Sequence, residues 1–309
     1  MATRQALPLP STSHLSFSTI YEPAEDTFLV LETFETHHEQ VWLRKRFPPA
    51  TTTSTLGDKF AVARGPAPLV LEVGPGSGTI SAFLTVNARA IFGQQILTLG
   101  VDVNIDACLG TRETVERNYD ASGKANEMGF YLASINGDLT TAVKDGDVDI
   151  LVFNPPYVPT EDLPAIPQPS GPATNQSIPL AATETDQPVP VHIAQRARAA
   201  AAQAKHERES QLLALSYAGG HDGMEITNKL LAQLPEVLSR RGVAYVLLCA
   251  RNKPLEVRDK VRAWQAGHDW TWQADIVNES GGKGGWERLS ILRIWRDCEN
   301  EIDIEAEGG

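Results

Sequence analysis

Asn154, Pro155, Pro156 and Tyr157 close the apolar run Val148-Asp149-Ile150-Leu151-Val152-Phe153. An amide, two rigid prolines and an aromatic ring at the mouth of a buried strand can hold a planar NH2 group still. Proline fixes φ and lacks an N–H, so Pro155-Pro156 makes a stiff exit from the strand. Asn154 precedes a proline and is biased toward extended backbone. Its side-chain carbonyl is one acceptor, and the backbone carbonyl of Pro155 is a second. Two acceptors fix both hydrogens of an NH2 group and aim its nitrogen at a donor. An amide lone pair is delocalised and weakly nucleophilic, so positioning and charge stabilisation must carry much of the rate. Tyr157 is expected to stack on a planar target or to wall the pocket.

The donor is suggested upstream, by Leu71-Glu72-Val73-Gly74-Pro75-Gly76-Ser77-Gly78. Glycines between a strand and a helix let backbone approach a ligand, and the helix start offers free N–H groups. A dinucleotide site prefers Gly-x-Gly-x-x-Gly. Here the third such position is Thr79, and the last glycine, Gly78, falls one residue early. Glu72 just before the turn would repel a phosphate but accept from an ammonium or a ribose hydroxyl. Asp102, near the end of the next strand, stands at the distance of a ribose-binding acid. Asp138, after the third strand, suits an exocyclic adenine amine. S-adenosylmethionine carries a sulfonium, an ammonium, a ribose and an adenine amine, and fits a crevice lined by these three acids.

The elements that must hold these residues follow from periodicity. Pro23-Ala24-Glu25-Asp26 opens a helix with apolar positions out to Leu43. Strands are predicted at 69–73, 96–103, 129–135 and 148–153. They alternate with helices at 79–90 and 106–119 and a short one at 139–143. This pattern indicates βαβ units and a parallel sheet. Further helices are expected at 196–215, 223–238 and 255–265, and a strand at 243–249. The chain then reads as a hairpin of 270–277 and 288–295 around a glycine-rich loop. Residues 1–20 read as a flexible N-terminus, about 48–68 and 159–195 as Thr/Pro-rich insertions, and 297–309 as an acidic tail.

The chain has 309 residues, 42% of them apolar, and a net charge of −12. It can bury a full core. An acidic chain does not wrap phosphate backbones unaided, so no direct nucleic-acid binding is expected, and a basic substrate or basic partner fits better. Cys108, Cys249 and Cys298 have no metal-ligand spacing, so no metal is expected. No apolar stretch reaches the length of a bilayer span and no signal-peptide pattern opens the chain. The expectation is a soluble cytoplasmic protein, with or without a nuclear pool, that does not engage membranes.

These residues resemble class I S-adenosylmethionine-dependent methyltransferases of the HemK type, in the eukaryotic and archaeal branch that methylates release factors. Tyr21-Glu22-Pro23-Ala24-Glu25-Asp26-Thr27-Phe28-Leu29 is similar to the branch's N-terminal signature, 71–78 to its cofactor turn, and 151–158 to its catalytic motif. Ala218-Gly219-Gly220-x-x-Gly223 is similar to its loop before the next helix. The resemblance spans 21–296 outside the insertions. It implies a three-layer α/β Rossmann-like fold with a seven-stranded, mostly parallel sheet and an antiparallel last strand. It implies cofactor contacts from Tyr21, Thr27, Glu72, Gly74, Gly76, Gly78, Asp102, Asp138, Leu139 and Asn154. Asn154 with Pro155, Pro156 and Tyr157 would hold a glutamine of a Gly-Gly-Gln motif in a class 1 release factor, taken alone or with its GTPase. A small zinc-binding activator subunit would pair along Phe130–Ile135. An adenine amine in nucleic acid and a protein lysine, as in histone, stay open as targets.

Overall fold

The computed structural model describes residues 6–49, 66–123, 127–166, 191–267, 269–281 and 288–298. Apolar runs bounded by Gly, Pro and Asx residues become seven strands. They are β1 (Leu69–Val73), β2 (Leu97–Asp102), β3 (Phe130–Asn136), β4 (Val148–Phe153), β5 (Leu238–Cys249), β6 (Trp270–Glu279) and β7 (Leu289–Cys298). Their spatial order is β3-β2-β1-β4-β5-β7-β6. The first five in that order run parallel, and β7 is antiparallel to β5 and β6. All six residues of β4 are buried, as a central parallel strand covered on both faces requires. The seven-stranded sheet with its reversed last strand is as the sequence led us to expect.

Register sets the site. Val73 at the end of β1 lies opposite Val101 of β2 and Phe153 of β4. Gly74, Asp102 and Asn154 therefore leave the sheet side by side at its carboxyl rim. At the amino rim, buried Asp149 of β4 accepts from Arg241 at 2.9 Å, from the Ser239 hydroxyl and from the Leu69 amide. That cluster ties β1, β4 and β5 together at the end away from the chemistry.

Helices cover both faces. On one lie α1 (Glu25–Glu35), α2 (His37–Arg46), α3 (Thr79–Val86) and α4 (Ala88–Phe92), whose Phe34, Leu43, Phe83 and Ile91 pack on Ile150 and Tyr245. On the other, α7 (Glu225–Val237) and α8 (Pro254–Arg262) pack Leu230, Leu234 and Val261 on Leu151 and Trp272. The remaining helices are α5 (Ile105–Ser122), between β2 and β3 in the chain, and α6 (Val191–Leu215), which starts five residues earlier than expected. Among the described residues no helix is long and apolar enough to cross a membrane.

Several expectations need correction. The helix opening at Pro23 is two helices, because Thr36 is extended (ψ 138°) and its side chain caps α2 by accepting from the Glu39 amide. The 79–90 helix is likewise broken at Asn87, whose side chain bonds back to the Phe83 carbonyl at 3.0 Å. Residues 139–143 form turns, not a helix. Leu139 has φ 50°, and Thr140 gives both its amide and its hydroxyl to Gln233. Residues 6–20 carry neither helix nor strand, yet they are fastened rather than loose. The Leu7 amide donates to Glu35, the Ser11 amide to Asn118, and the Asn104 side chain to the Thr19 carbonyl. Composition showed the lack of periodicity and could not show these long-range bonds. β7 runs on through Asp297 to Cys298. The cores of both insertions and the tail beyond Cys298 lie outside the described residues.

One buried polar cluster joins α2 to the sheet. Glu39 accepts from the Tyr245 hydroxyl at 2.8 Å and from Arg293 at 2.6 Å, and Arg293 stacks on Trp42 and Trp295. Burial and the Glu39 charge hold the Tyr245 hydroxyl well above its ordinary pKa, so it stays a donor. Removing one partner leaves a charge stranded in the core. Arg293→Ala should cost about 3–5 kcal/mol of unfolding free energy, read from the midpoint of urea denaturation.

Candidate active site

Between β1 and α3 the chain makes a tight turn in which Gly74, Gly76 and Gly78 all have positive φ (64°, 54° and 75°). Two kinds of glycine are present. At Gly74 a Cβ would meet nothing within 4 Å, and at Gly76 only the Gly74 carbonyl at 4.0 Å, so both border open space that a ligand can fill. At Gly78 a Cβ would fall 2.6 Å from Thr111 Cα of α5. Gly78 does not line the crevice; it lets α3 pack against α5. Its expected cofactor contact is corrected to a packing role.

A cavity of about 370 Å³ opens at the carboxyl rim. Tyr21, Thr27, Glu72, Gly74, Gly76, Asp102, Asp138, Leu139, Asn154, Pro155 and Pro156 all line it. These residues come from five separate stretches of chain; strand register brings together the four at or just past the ends of β1 to β4, and the start of α1 adds the fifth. Tyr157 does not join them. Its ring packs on the cluster formed by α1, α3 and the sheet, so the expectation that it stacks on a target is corrected. Leu163, Pro164, Ile166, Leu212 and Leu215 add an apolar lip.

Glu72 is buried, 3% exposed, and accepts from the Ser81 hydroxyl. Burial pushes its carboxyl up to about 8, opposed by the Ser81 bonds and assisted by the nearby Asp102 charge. Asp102 accepts from the Gly76 amide at 3.2 Å and the Asn104 amide at 2.8 Å. Burial pushes it to about 6 against those two bonds. Each oxygen keeps an unused lone pair. Asp138 is exposed at the rim. Two desolvated carboxyl groups share one crevice, and a cation arriving there would favour their ionised form.

Asn154 supplies the polar contact at the floor. Its Nδ2 donates to Asp26 Oδ2 at 3.1 Å, while Asp26 Oδ1 accepts from the Thr27 amide at 2.6 Å. A carboxylate only accepts, so Asp26 dictates which end of the amide faces it. Asn154 Oδ1 is then fixed on the other side, buried and with no hydrogen-bond partner. Leaving such an acceptor unmet costs about 1–3 kcal/mol. An N–H brought in by a ligand would satisfy it. Asp26 was not among the residues expected in the site. At a helix start an acid reads as a favourable end charge, and only its place in the 21–29 signature hinted at more.

The strand order, the reversed strand between β5 and β6, and the glycine turn opening onto an acid-lined rim define a class I methyltransferase. No protein-family profile matches the chain. It is 30% identical over 294 residues to eRF1 methyltransferase catalytic subunit mtq2 of Schizosaccharomyces pombe, covering 94% of this chain and 96% of that protein. Methyltransferase HEMK2 of Mus musculus is 28% identical over 294 residues, covering 94% and 97%. Release factor glutamine methyltransferase of Caulobacter vibrioides is 35% identical over 92 residues, which is 30% of this chain and 27% of that protein. The chain belongs to the HemK-type methyltransferase family.

The raised carboxyls have a consequence for stability. In the folded protein Glu72 keeps its proton up to about pH 8, whereas unfolded it would release it near 4.5. Asp102 behaves likewise between 3.8 and about 6. The unfolded chain thus binds fewer protons across this window, and stability falls as pH rises through it. Without cofactor, the urea midpoint should decline between pH 4.5 and 8. Glu72→Gln should flatten much of that decline and raise the midpoint at pH 8. An unchanged slope in this variant would mean that Glu72 is not the titrating group.

Proposed function

We propose that this chain methylates the side-chain nitrogen of a glutamine, in the Gly-Gly-Gln motif of a class 1 translation release factor, using S-adenosylmethionine. The observation that carries this reading is the buried Asn154 Oδ1, oriented by Asp26 and lacking a partner. The names of the Schizosaccharomyces pombe and Caulobacter vibrioides relatives support the same substrate.

The donor set fits the cofactor. Gly74 and Gly76 leave space for it, Glu72 and Asp102 offer acceptors for its ammonium and ribose, and Asp138 stands where an adenine amine could be met. Tyr21, Thr27 and Leu139 border the same space. When bound, S-adenosylmethionine supplies an electrophilic methyl group on a sulfonium. Everything else falls to the chain. Asn154 Oδ1 and the Pro155 carbonyl accept the two hydrogens of the target amide and hold its nitrogen toward the crevice. Each bond to a hydrogen draws electron density onto the nitrogen, which is what a weak amide nucleophile lacks. The prolines keep the second carbonyl from turning away. The apolar lip excludes water, which strengthens both bonds.

We also propose a small zinc-binding activator as partner, on the β3 edge. β3 ends the sheet, and its Phe130 and Leu132 are about half exposed (50% and 52%). Ile105 and Leu109 of the neighbouring α5 are exposed as well. An apolar edge strand left bare is an aggregation hazard, and a partner strand would cover it. Co-expression should raise the yield of soluble chain. Leu132→Lys should weaken co-purification while circular dichroism of what remains soluble is unchanged.

The activity is tested with the co-purified pair and labelled S-adenosylmethionine, offering release factor, histone and DNA in parallel. Label is expected on release factor only and is lost when its Gly-Gly-Gln glutamine is replaced. Label surviving that replacement, or appearing on histone or DNA instead, would sink the reading. Asn154→Ala should lower transfer by at least 100-fold, roughly the loss of one oriented polar contact in a transition state, while cofactor binding by calorimetry persists.

A further inference from the structure

Behind the catalytic loop stands a second loop, Tyr217–Gly223, in which Gly219 and Gly223 face backbone and Gly220 faces the Glu225 side chain. A Cβ on Gly219 would lie 2.5 Å from the Pro156 carbonyl oxygen, and one on Gly223 would lie 2.1 Å from that of Tyr157. The two loops are stitched together. The Val158 amide donates to the Tyr217 carbonyl at 2.9 Å, and the Gly219 amide donates to the Val158 carbonyl at 2.8 Å. The backbone of Pro156, Tyr157 and Val158 is thus set from behind by direct contact, and Pro155 is joined to it through the rigid Pro155-Pro156 pair.

That second loop needs an anchor of its own. Asp222 is a non-glycine residue at φ 57°, a conformation that persists only where surrounding contacts impose it. Asn252, in the single turn that follows β5, is the side chain that bonds to the carbonyls of Asp222 and Gly223. Its side chain is 3% exposed. Oδ1 accepts from the Cys249 amide at 2.8 Å, and Nδ2 donates to the carbonyls of Asp222 at 3.1 Å and Gly223 at 3.4 Å. One amide therefore links the rigid end of a buried strand to the loop that backs the catalytic prolines. Asn252 does not line the cavity at Asn154.

We propose that Asn252 is a positioning residue for methyl transfer, acting through Gly223 and Gly219 on the backbone of Asn154-Pro155-Pro156-Tyr157. The inference rests on the amide-methylation reading above. Misplacing an acceptor by about 1 Å can cost up to roughly 100-fold in rate. Asn252→Asp separates the two halves of the anchor. It keeps an acceptor for the Cys249 amide and replaces the donor with an oxygen facing two carbonyls. Asn252→Ser is the milder companion, retaining one hydroxyl.

The experiment uses the co-purified pair. It measures kcat, KM for release factor, cofactor Kd and stoichiometry, and the melting temperature for each variant. Asn252→Asp should lower kcat roughly tenfold or more, with cofactor Kd and stoichiometry unchanged, and Asn252→Ser should lie between it and the parent. Parental kcat in both variants overturns the proposal. So does a loss of kcat matched by loss of cofactor stoichiometry, which marks unfolded protein. Failure of the parental pair to methylate the release factor appears in the same assay and overturns the amide-methylation reading instead.

Discussion

A parallel sheet covered on both faces lodges few polar side chains away from the ends of its strands, and the Glu39–Tyr245–Arg293 cluster on β5 and β7 is there only because its members satisfy one another. That constraint governs this molecule. β4 buries all six of its residues, and its one charged member, Asp149, is neutralised at the amino end by Arg241. What chemistry the chain has must emerge where strands stop. Because β1, β2 and β4 are parallel and in register, they stop together. The glycine turn, the Asp102 carboxylate and the Asn154 amide are neighbours for that reason, although 80 residues separate Gly74 from Asn154 in the chain.

Around that rim the polar groups fall into two kinds. Some are satisfied within the protein: Asp102 by two loop amides, Glu72 by Ser81, Asp26 by Thr27 and Asn154. They hold the turn and the floor in shape before any ligand arrives, which spares binding the cost of ordering them. One is left unmet, Asn154 Oδ1. Under the proposed reading, the substrate's N–H is what meets that acceptor.

Much of this was legible in the sequence. Strand positions followed from apolar runs, and β4 was read to the residue. The acids at strand ends needed only the rule that parallel strands share a rim. What stayed hidden depends on contacts far apart in sequence. Asp26 meets Asn154 across 128 positions, and no local pattern distinguishes it from an ordinary helix-start acid. Gly78 looked like its two neighbours because a close helix approach and a ligand approach both select glycine. Tyr157 carries the same ring whether it faces a pocket or a core, and only the course of the backbone decides. The strap 6–20 has the composition of a free end and is held by partners on α1, α5 and the residue before α5.

The two insertions leave the sheet from opposite sides. The first joins α2 to β1. Pro66, near its end, accepts from Arg241 in the cluster at the amino rim. β1 is five residues long, so about 16 Å of strand separates that junction from the glycine turn. Lengthening or shortening the chain there disturbs no group at the opposite rim. The second begins after Val158, and its described residues Leu163, Pro164 and Ile166 lie on the lip of the cavity itself. Drift in sequence length is therefore free at one pole of the sheet and consequential at the other. A lineage could remodel what approaches the catalytic amide through the second junction alone.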